Sequence, residues 1–373
     1  MTLSRTAETK RERLGEGVAR VDRVLFRLGQ QGLARLSSAT VTELSALVQT
    51  AHNAGMVKVE RELETLSTQV QRYLDRDPLF HMDRYLDVVS RTWLLNGAAR
   101  KAFDTGLDPA DLKALLGEAR RTYELQPEPI EVQAMGAQGW VTDSDFVGIT
   151  VYVRAGGGEV LQISNARPCA YFGNEPRRLL TMGLSEYVDT TIQALSHGAF
   201  VFGNAKRSAD GRLSVYADLT ITPSAWRGAS VYDGIAADSW DGLAALLRES
   251  AVHPVGGGGG RLVLVEPAGL GPVAIDEKAQ VARMDLLDAR GAKLEVRVPL
   301  RPENNLLVDN LETLGRRPEL RPPAWFGRAT AAGGLSFFPM TAVYGTPVRL
   351  RGRQDLRVNE IHLTLEDLEK VTP

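Results

Sequence analysis

The texture of this chain changes at Gln126-Pro127-Glu128-Pro129, and that change constrains the fold more than any other feature. Before it, glycine and proline are sparse and apolar residues recur at intervals of three and four. Val18, Val21, Leu25 and Leu28 form one such stripe, and Val41, Leu44, Leu47/Val48 and Ala51 form a second. The second resumes after Gly55 through Val59, Leu63, Leu66, Val70 and Tyr73. This spacing keeps one face of an α-helix apolar. Ser37, Ser38 and Thr40 are N-cap candidates ahead of Val41, and Thr40 with Glu43 has the spacing of a capping box. Asp77-Pro78 breaks the pattern. A further helix is expected from about Asp83 to Phe103, burying Tyr85, Val88, Val89, Trp93 and Leu94. Asp108 and Pro109 then open a short one carrying Leu112, Leu115 and Leu116. Short connections between helices imply antiparallel packing.

After the linker, glycine is frequent and β-branched or aromatic residues alternate with polar ones. Residues 148–154 alternate as a half-buried strand should, Gly156-Gly157-Gly158 supplies a turn, and residues 160–163 return. Residues 284–287 and 293–298 read as a second hairpin, with Gly291 in its turn. Arg261–Val265 is another short strand. Helices are expected after Asp238 and after Asn304 or Asn305, and the acidic stretch from Leu363 to Val371 reads as a terminal helix or a frayed tail. One pattern occurs twice: Phe202-Gly-Asn-Ala, turn, Leu213-Ser-Val-Tyr, and Phe326-Gly-Arg-Ala, turn, Leu335-Ser-Phe-Phe. Both read as strand, turn, strand. The echo fits two related halves, each a small barrel of the OB kind. A chance match of glycine-rich identities is the rival reading. The expected class is α+β: an antiparallel helical domain at 1–127, then a barrel-like, β-rich region in two parts, 128–255 and 256–373.

Two passages together resemble a known family. One comprises residues 32–37, 51–59 and 72–80. The other is Gly148-Ile-Thr-Val-Tyr-Val153, followed by Ile163-Ser-Asn-Ala-Arg-Pro168 and Gly203 to Ser214. They are similar to the non-finger region of bacterial SWIM zinc-finger family proteins. The similarity covers most of the chain but carries no catalytic signature. It implies membership of a multi-protein system with AAA-type ATPase and von Willebrand A domain partners. The finger itself needs a Cys-x-Cys and a Cys-x-His pair to complete a tetrahedral zinc site. Cys169 is the only cysteine, so the finger is absent and no nucleic-acid role it carries transfers here.

Composition narrows the function classes. With 373 residues, 43% hydrophobic, 24% charged and a net charge of −2, the chain has no global attraction for nucleic acid or anionic lipid. A single cysteine allows no intrachain disulfide, which fits a reducing compartment. No run of about 18 apolar residues predicts a membrane span. A cytoplasmic location is expected.

The chemistry-bearing residues are dispersed. His52, His81, His197, His253 and His362 stand singly, without metal-ligand spacing, and no bound metal or other cofactor is expected. Gly256 to Gly260 follows a helix and precedes a strand, the reverse of a phosphate-binding turn, and reads as a linker. Cys169 lacks a neighbouring base and reads as a packed thiol. The acid pairs Asp143/Asp145 and Asp285/Asp288 sit at turns, where carboxylates commonly cap backbone. Basic residues near aromatics form the remaining cluster. Arg316, Arg317 and Arg321 precede Trp325; Arg349, Arg351 and Arg353 follow Tyr344; Lys206, Arg207 and Arg212 decorate the first copy of the repeated pattern. Single-strand binding uses cations along the backbone and rings against bases. A solvated rim around core aromatics accounts for the same residues. The expected function is a non-enzymatic interaction or scaffold protein; the alternative is single-stranded nucleic-acid binding through these arginines and lysine.

Overall fold

The computed structural model describes residues 2–77, 80, 82–106, 115–117, 122–142, 145–225, 229–250, 260–316, 321–331, 334–350 and 353–360. The chain divides into two compact units, the first ending at residue 121 and the second beginning at Thr122. The break falls six residues ahead of the boundary read from the Pro-rich linker.

The first unit is helical: α1 (Thr2–Gln31), α2 (Ser38–Asn53), α3 (Val57–Leu74) and α4 (Met82–Thr105). Leu14, Val18, Val21, Leu25 and Leu28 turn one face of α1 into a common core with Leu44, Leu47, Leu63, Leu66 and Val70. α2 starts earlier than its apolar stripe implies. Ser37 precedes it, and the Thr40 hydroxyl accepts from the Ser37 backbone N–H at 3.2 Å. Gly55 ends α2 with φ of +71°. There the N–H of Met56 reaches the carbonyl of Ala51 and that of Gly55 reaches His52, both at 2.9 Å. This closure needs a left-handed residue, which glycine adopts without steric cost.

α4 corrects one expectation. Its inward face is Tyr85, Val88, Thr92, Leu95, Asn96, Ala99 and Ala102. Trp93 and Leu94, expected inside, are 42% and 54% exposed. The helix is rotated because two polar residues point inward with partners supplied. Asn96 donates to the Val18 carbonyl at 3.0 Å and to an Asp22 carboxylate oxygen at 2.7 Å. Thr92 donates to Val88 at 2.7 Å. Gln69 is fully buried, and neither amide atom has a partner among the described residues. Asp108, Pro109 and Leu112 lie outside the described residues, as do residues 363–371.

The second unit is β-rich. Strands β1 (Tyr123–Leu125), β2 (Ile130–Val141), β3 (Phe146–Ala155), β4 (Val160–Pro168), β5 (Ala199–Gly203), β6 (Lys206–Ser208) and β7 (Thr220–Pro223) come first. They give an antiparallel five-stranded sheet in the order β4-β3-β2-β5-β7 and a separate β1-β6 pair. Then come β8 (Ala236–Ala237), helix α5 (Trp240–Ser250), β9 (Arg261–Val265), β10 (Gly269–Leu270), β11 (Ala274–Asp276), β12 (Val281–Leu287) and β13 (Lys293–Pro299). Helix α6 (Asn305–Arg316), β14 (Ala324–Thr330), β15 (Ser336–Leu350) and β16 (Arg353–Glu360) complete it. These build a nine-stranded sheet with the path β10-β12-β13-β15-β14-β9-β8, to which β11 and β16 attach. Among the described residues neither sheet closes into a barrel.

Alternation decides which face goes where. Met284, Val296, Phe337, Ala329 and Trp325 turn one face of the larger sheet toward α5 and α6, which bring Leu243, Leu307, Leu311 and Leu314. The opposite face brings Phe326, Leu264 and Met340 against Met135, Tyr152 and Tyr232. The two sheets therefore meet at β2 and β14. Both strands are irregular there, with register shifts between Ala134 and Gly136 and between Phe326 and Gly327. A Cβ on Gly136 would lie 2.3 Å from the Thr341 hydroxyl oxygen and 2.9 Å from the Phe326 ring. The Ala137 N–H donates to the same hydroxyl at 3.3 Å, and Tyr232 donates its phenol to the Met135 carbonyl at 2.7 Å.

The repeated Phe-Gly-x-Ala pattern folds in two ways. The second copy is a hairpin, β14 directly against β15. In the first, β5 pairs with β2 and β7, while β6 pairs with β1 and meets Leu213 only at a single bridge. Phe202 and Phe326 are both fully buried. The shared residues specify burial and close approach, which many pairings satisfy.

Two outcomes follow for stability. Gly136→Ala forces a Cβ into Thr341 at a φ of +153°, and is expected to cost ~1–3 kcal/mol in urea denaturation followed by tryptophan fluorescence. Gln69→Met removes an unpartnered buried amide, and is expected to raise the helical unit's stability by about 1 kcal/mol in thermal melts followed by circular dichroism.

Candidate functional site

The basic residues singled out from the sequence are spread over β6, the end of α6, β15 and β16. Lys206 and Arg207 lie on β6, opposite Leu125 and Glu124. Arg316 ends α6, and Arg321 follows it. Arg349 and Arg353 lie on β15 and β16, opposite Gln354 and Leu350. Arg317 and Arg351 are outside the described residues.

Several of these cations are already engaged. Arg207 pairs with Glu159 at 2.7 Å, and Arg212 with Asp210 at 3.4 Å. The Lys206 ammonium stands 3.9 Å from the centre of the Tyr216 ring, and so covers a face that a base would stack on. Arg316 pairs with Glu312 at 2.6 Å, one turn back. Arg321 donates to the carbonyls of Leu314 and Gly315, capping the end of α6.

The acid pairs read as turn residues, and Asp288 shows why. One oxygen accepts from the N–H groups of Arg290 and Ala292, both at 2.9 Å. Burial opposes ionisation there, but backbone donors from Ala292, Arg290 and Trp240 hold the carboxyl below its ordinary range. Asp285 is ion-paired with Lys293 at 2.6 Å. Asp143 is outside the described residues. Cys169 is half-buried and opens a one-turn helix after Pro168.

A cleft of about 340 Å³ opens on the five-stranded sheet. Gln133, Arg154 and Ala199 lie in one row across β2, β3 and β5. The Arg154 guanidinium donates to the carbonyls of Val231 and Asp233 at 2.9 and 2.6 Å. It therefore fastens the 229–233 turn over the sheet. Glu131 forms another wall and accepts from Ser224 at 3.1 Å. The described lining carries two carboxylates, Glu131 and Asp233, and the Arg154 guanidinium.

Among the described residues, His197 is the imidazole shifted by its surroundings. Its Nδ1 lies 2.6 Å from the Gln193 carbonyl, and its Nε2 is buried without a partner among the described residues. Burial pulls its pKa down from 6.5 to about 4, against the Gln193 hydrogen bond, which acts upward.

Among the described residues, a run of exposed apolar side chains belongs to the helical unit. Met82, Leu86, Val89 and Trp93 recur at four, three and four along α4, with Val89 partly buried against the bundle core and the others exposed. Met82 is 46% and Leu86 52% exposed, with Leu94 beside them. α1 runs antiparallel to α4, since Gly15 lies against Phe103 and Asp22 meets Asn96 and Arg100. One turn on from Asp22, this register brings exposed Phe26 alongside the same stripe. The sequence carried the signal: Met82, Leu86, Val89 and Trp93 already share a helical stripe. A second stripe shares α4, and an apolar count does not say which one faces inward.

The helical unit defines a class, the four-helix bundle, and the rest of the chain makes it a mixed α+β protein. Residues 15–117 match the family model of the YehQ four-helical bundle domain. No curated protein matches the chain. Among solved structures, one described as a replication protein A heterotrimer bound to ssDNA is similar at 10% identity and a TM-score of 0.29. The alignment covers 63% of this chain and 49% of that one, so the chain spans about half its length. A likeness of that size carries no argument about function. No helix of the described residues is long and apolar enough to cross a membrane.

The His197 geometry makes stability depend on pH with a defined sign. The folded pKa lies below the unfolded one, so the unfolded state takes up the proton first. Stability is full above pH 6.5 and is expected to fall between pH 6.5 and about 4. His197→Gln is expected to flatten that slope in urea titrations at stepped pH.

Proposed function

We propose that this chain is a non-enzymatic interaction protein, whose helical bundle docks partners and whose β-rich unit is a rigid platform. The observation that carries this is the exposed apolar stripe of Met82, Leu86 and Trp93, flanked by Leu94 and Phe26. Scattered exposed apolar residues are ordinary on any surface, but contiguous ones usually mark a place where another chain sits. Tryptophan and phenylalanine bury large area at small entropic cost and recur as anchors of such contacts. The resemblance of the sequence to the SWIM-associated family suggests AAA-type ATPase and von Willebrand A domain proteins as partners.

Single-stranded nucleic-acid binding draws less support from the geometry. Lys206, Arg207, Arg316 and Arg321 each have an intramolecular partner, so phosphate binding would first have to break those contacts. The two readings give opposite results. Immobilised wild-type chain is expected to capture AAA-type ATPase or von Willebrand A domain partners, and a chain that captures neither overturns that choice of partners. Labelled single-stranded oligonucleotides are expected to show no binding at low salt, where a phosphate-driven contact would be strongest. Oligonucleotide binding lost at 0.2 M salt would favour the second reading instead.

A further inference from the structure

We infer that the exposed stripe of α4 takes a second copy of this chain, packed antiparallel across a twofold axis near Trp93. The inference rests on reading the stripe as an interaction face and names its occupant. The argument is self-complementarity. A twofold interface presents the same patch on both sides, so every feature must meet its own counterpart. Along α4, Asp83 and Asp87 lie near one end of the stripe and Lys101 near the other, on the same flank. A twofold axis at Trp93 brings Lys101 of each copy between Asp83 and Asp87 of the other. Asp83 and Lys101 are exposed, and among the described residues Asp87 is paired along its own helix, with Arg91 at 3.3 Å. Arg100, 55% exposed, is paired with Asp22 in its own chain, and Lys101 is the exposed cation on the flank of Asp83 and Asp87.

Shape agrees with charge. Gly97 continues the stripe one turn beyond Trp93, and nothing lies within 4 Å of the point where its Cβ would be. The open space at Gly97 lets two helices approach to about 8–10 Å. Leu94 lies at the level of the axis on one flank and Phe26 on the other. Each meets its own counterpart and widens the apolar contact. A parallel arrangement would set Asp83 against Asp83 and Lys101 against Lys101, which like-charge repulsion disfavours.

Sedimentation equilibrium of the full chain tests this. A concentration-dependent dimer is expected. Trp93→Ala is expected to weaken it about tenfold. Lys101→Glu alone is expected to weaken it several-fold, and Lys101→Glu combined with Asp83→Lys and Asp87→Lys to restore wild-type affinity. All three charged positions are on the solvent side of α4, and unchanged circular dichroism would confirm that folding is intact. A chain that stays monomeric at ~100 μM overturns self-pairing. So does a dimer insensitive to Trp93→Ala, or a charge swap without rescue. A monomer that captures a different protein through Trp93 overturns self-pairing and leaves the interaction reading standing. A monomer that captures nothing overturns both.

Discussion

The β-rich unit depends on one close approach, the backbone of Gly136 against the Thr341 hydroxyl and the Phe326 ring. Two sheets can share a core only where side chains from both interdigitate without leaving backbone groups stranded. Here β2 slips register to bring its backbone down onto β15, and Thr341 satisfies the freed Ala137 N–H. Tyr232 does the same for the Met135 carbonyl. Arg328 adds a polar link at the edge of this seam, donating to the Tyr152 phenol at 2.9 Å. With the seam in place, the other face of the larger sheet is free to receive α5 and α6.

The helical unit shows the complementary case, in which polar residues set orientation. Asn96 reaches a backbone carbonyl of α1 and the Asp22 carboxylate, and Arg100 closes on the same carboxylate. A buried amide has few satisfactory rotations, so these bonds fix α4 about its axis more narrowly than leucine packing would. The consequence is functional. Turning Asn96 inward turns Trp93 and Leu86 outward, and the apolar stripe that remains is the main candidate for contact with another chain.

Electrostatics work against the basic clusters. Cations close to aromatics looked available while only their spacing was known. In three dimensions Arg207 and Arg316 meet carboxylates, and Arg321 caps a helix. Exposed ion pairs of this kind contribute little to stability, about 0–1 kcal/mol each, yet they reduce the positive field available to a polyanion.

The residues by themselves determined the division into a helical part and a β-rich part, the stripes of α1 to α3, and the hairpins β3–β4 and β12–β13. Each depends on local periodicity or on a turn residue, and neighbours within ten or so positions settle it. Only the tertiary structure decided which of two stripes on α4 is inside, because the deciding groups, Val18 and Asp22, are more than 70 positions away. It also decided that one Phe-Gly-x-Ala copy is a hairpin and the other is not. Strand partners are chosen by burial of whole faces, and a short motif carries no record of that choice. The Arg154 cleft was illegible for the same reason: its walls come from β2, β3, β5 and the 229–233 turn, which meet only when the sheet has formed.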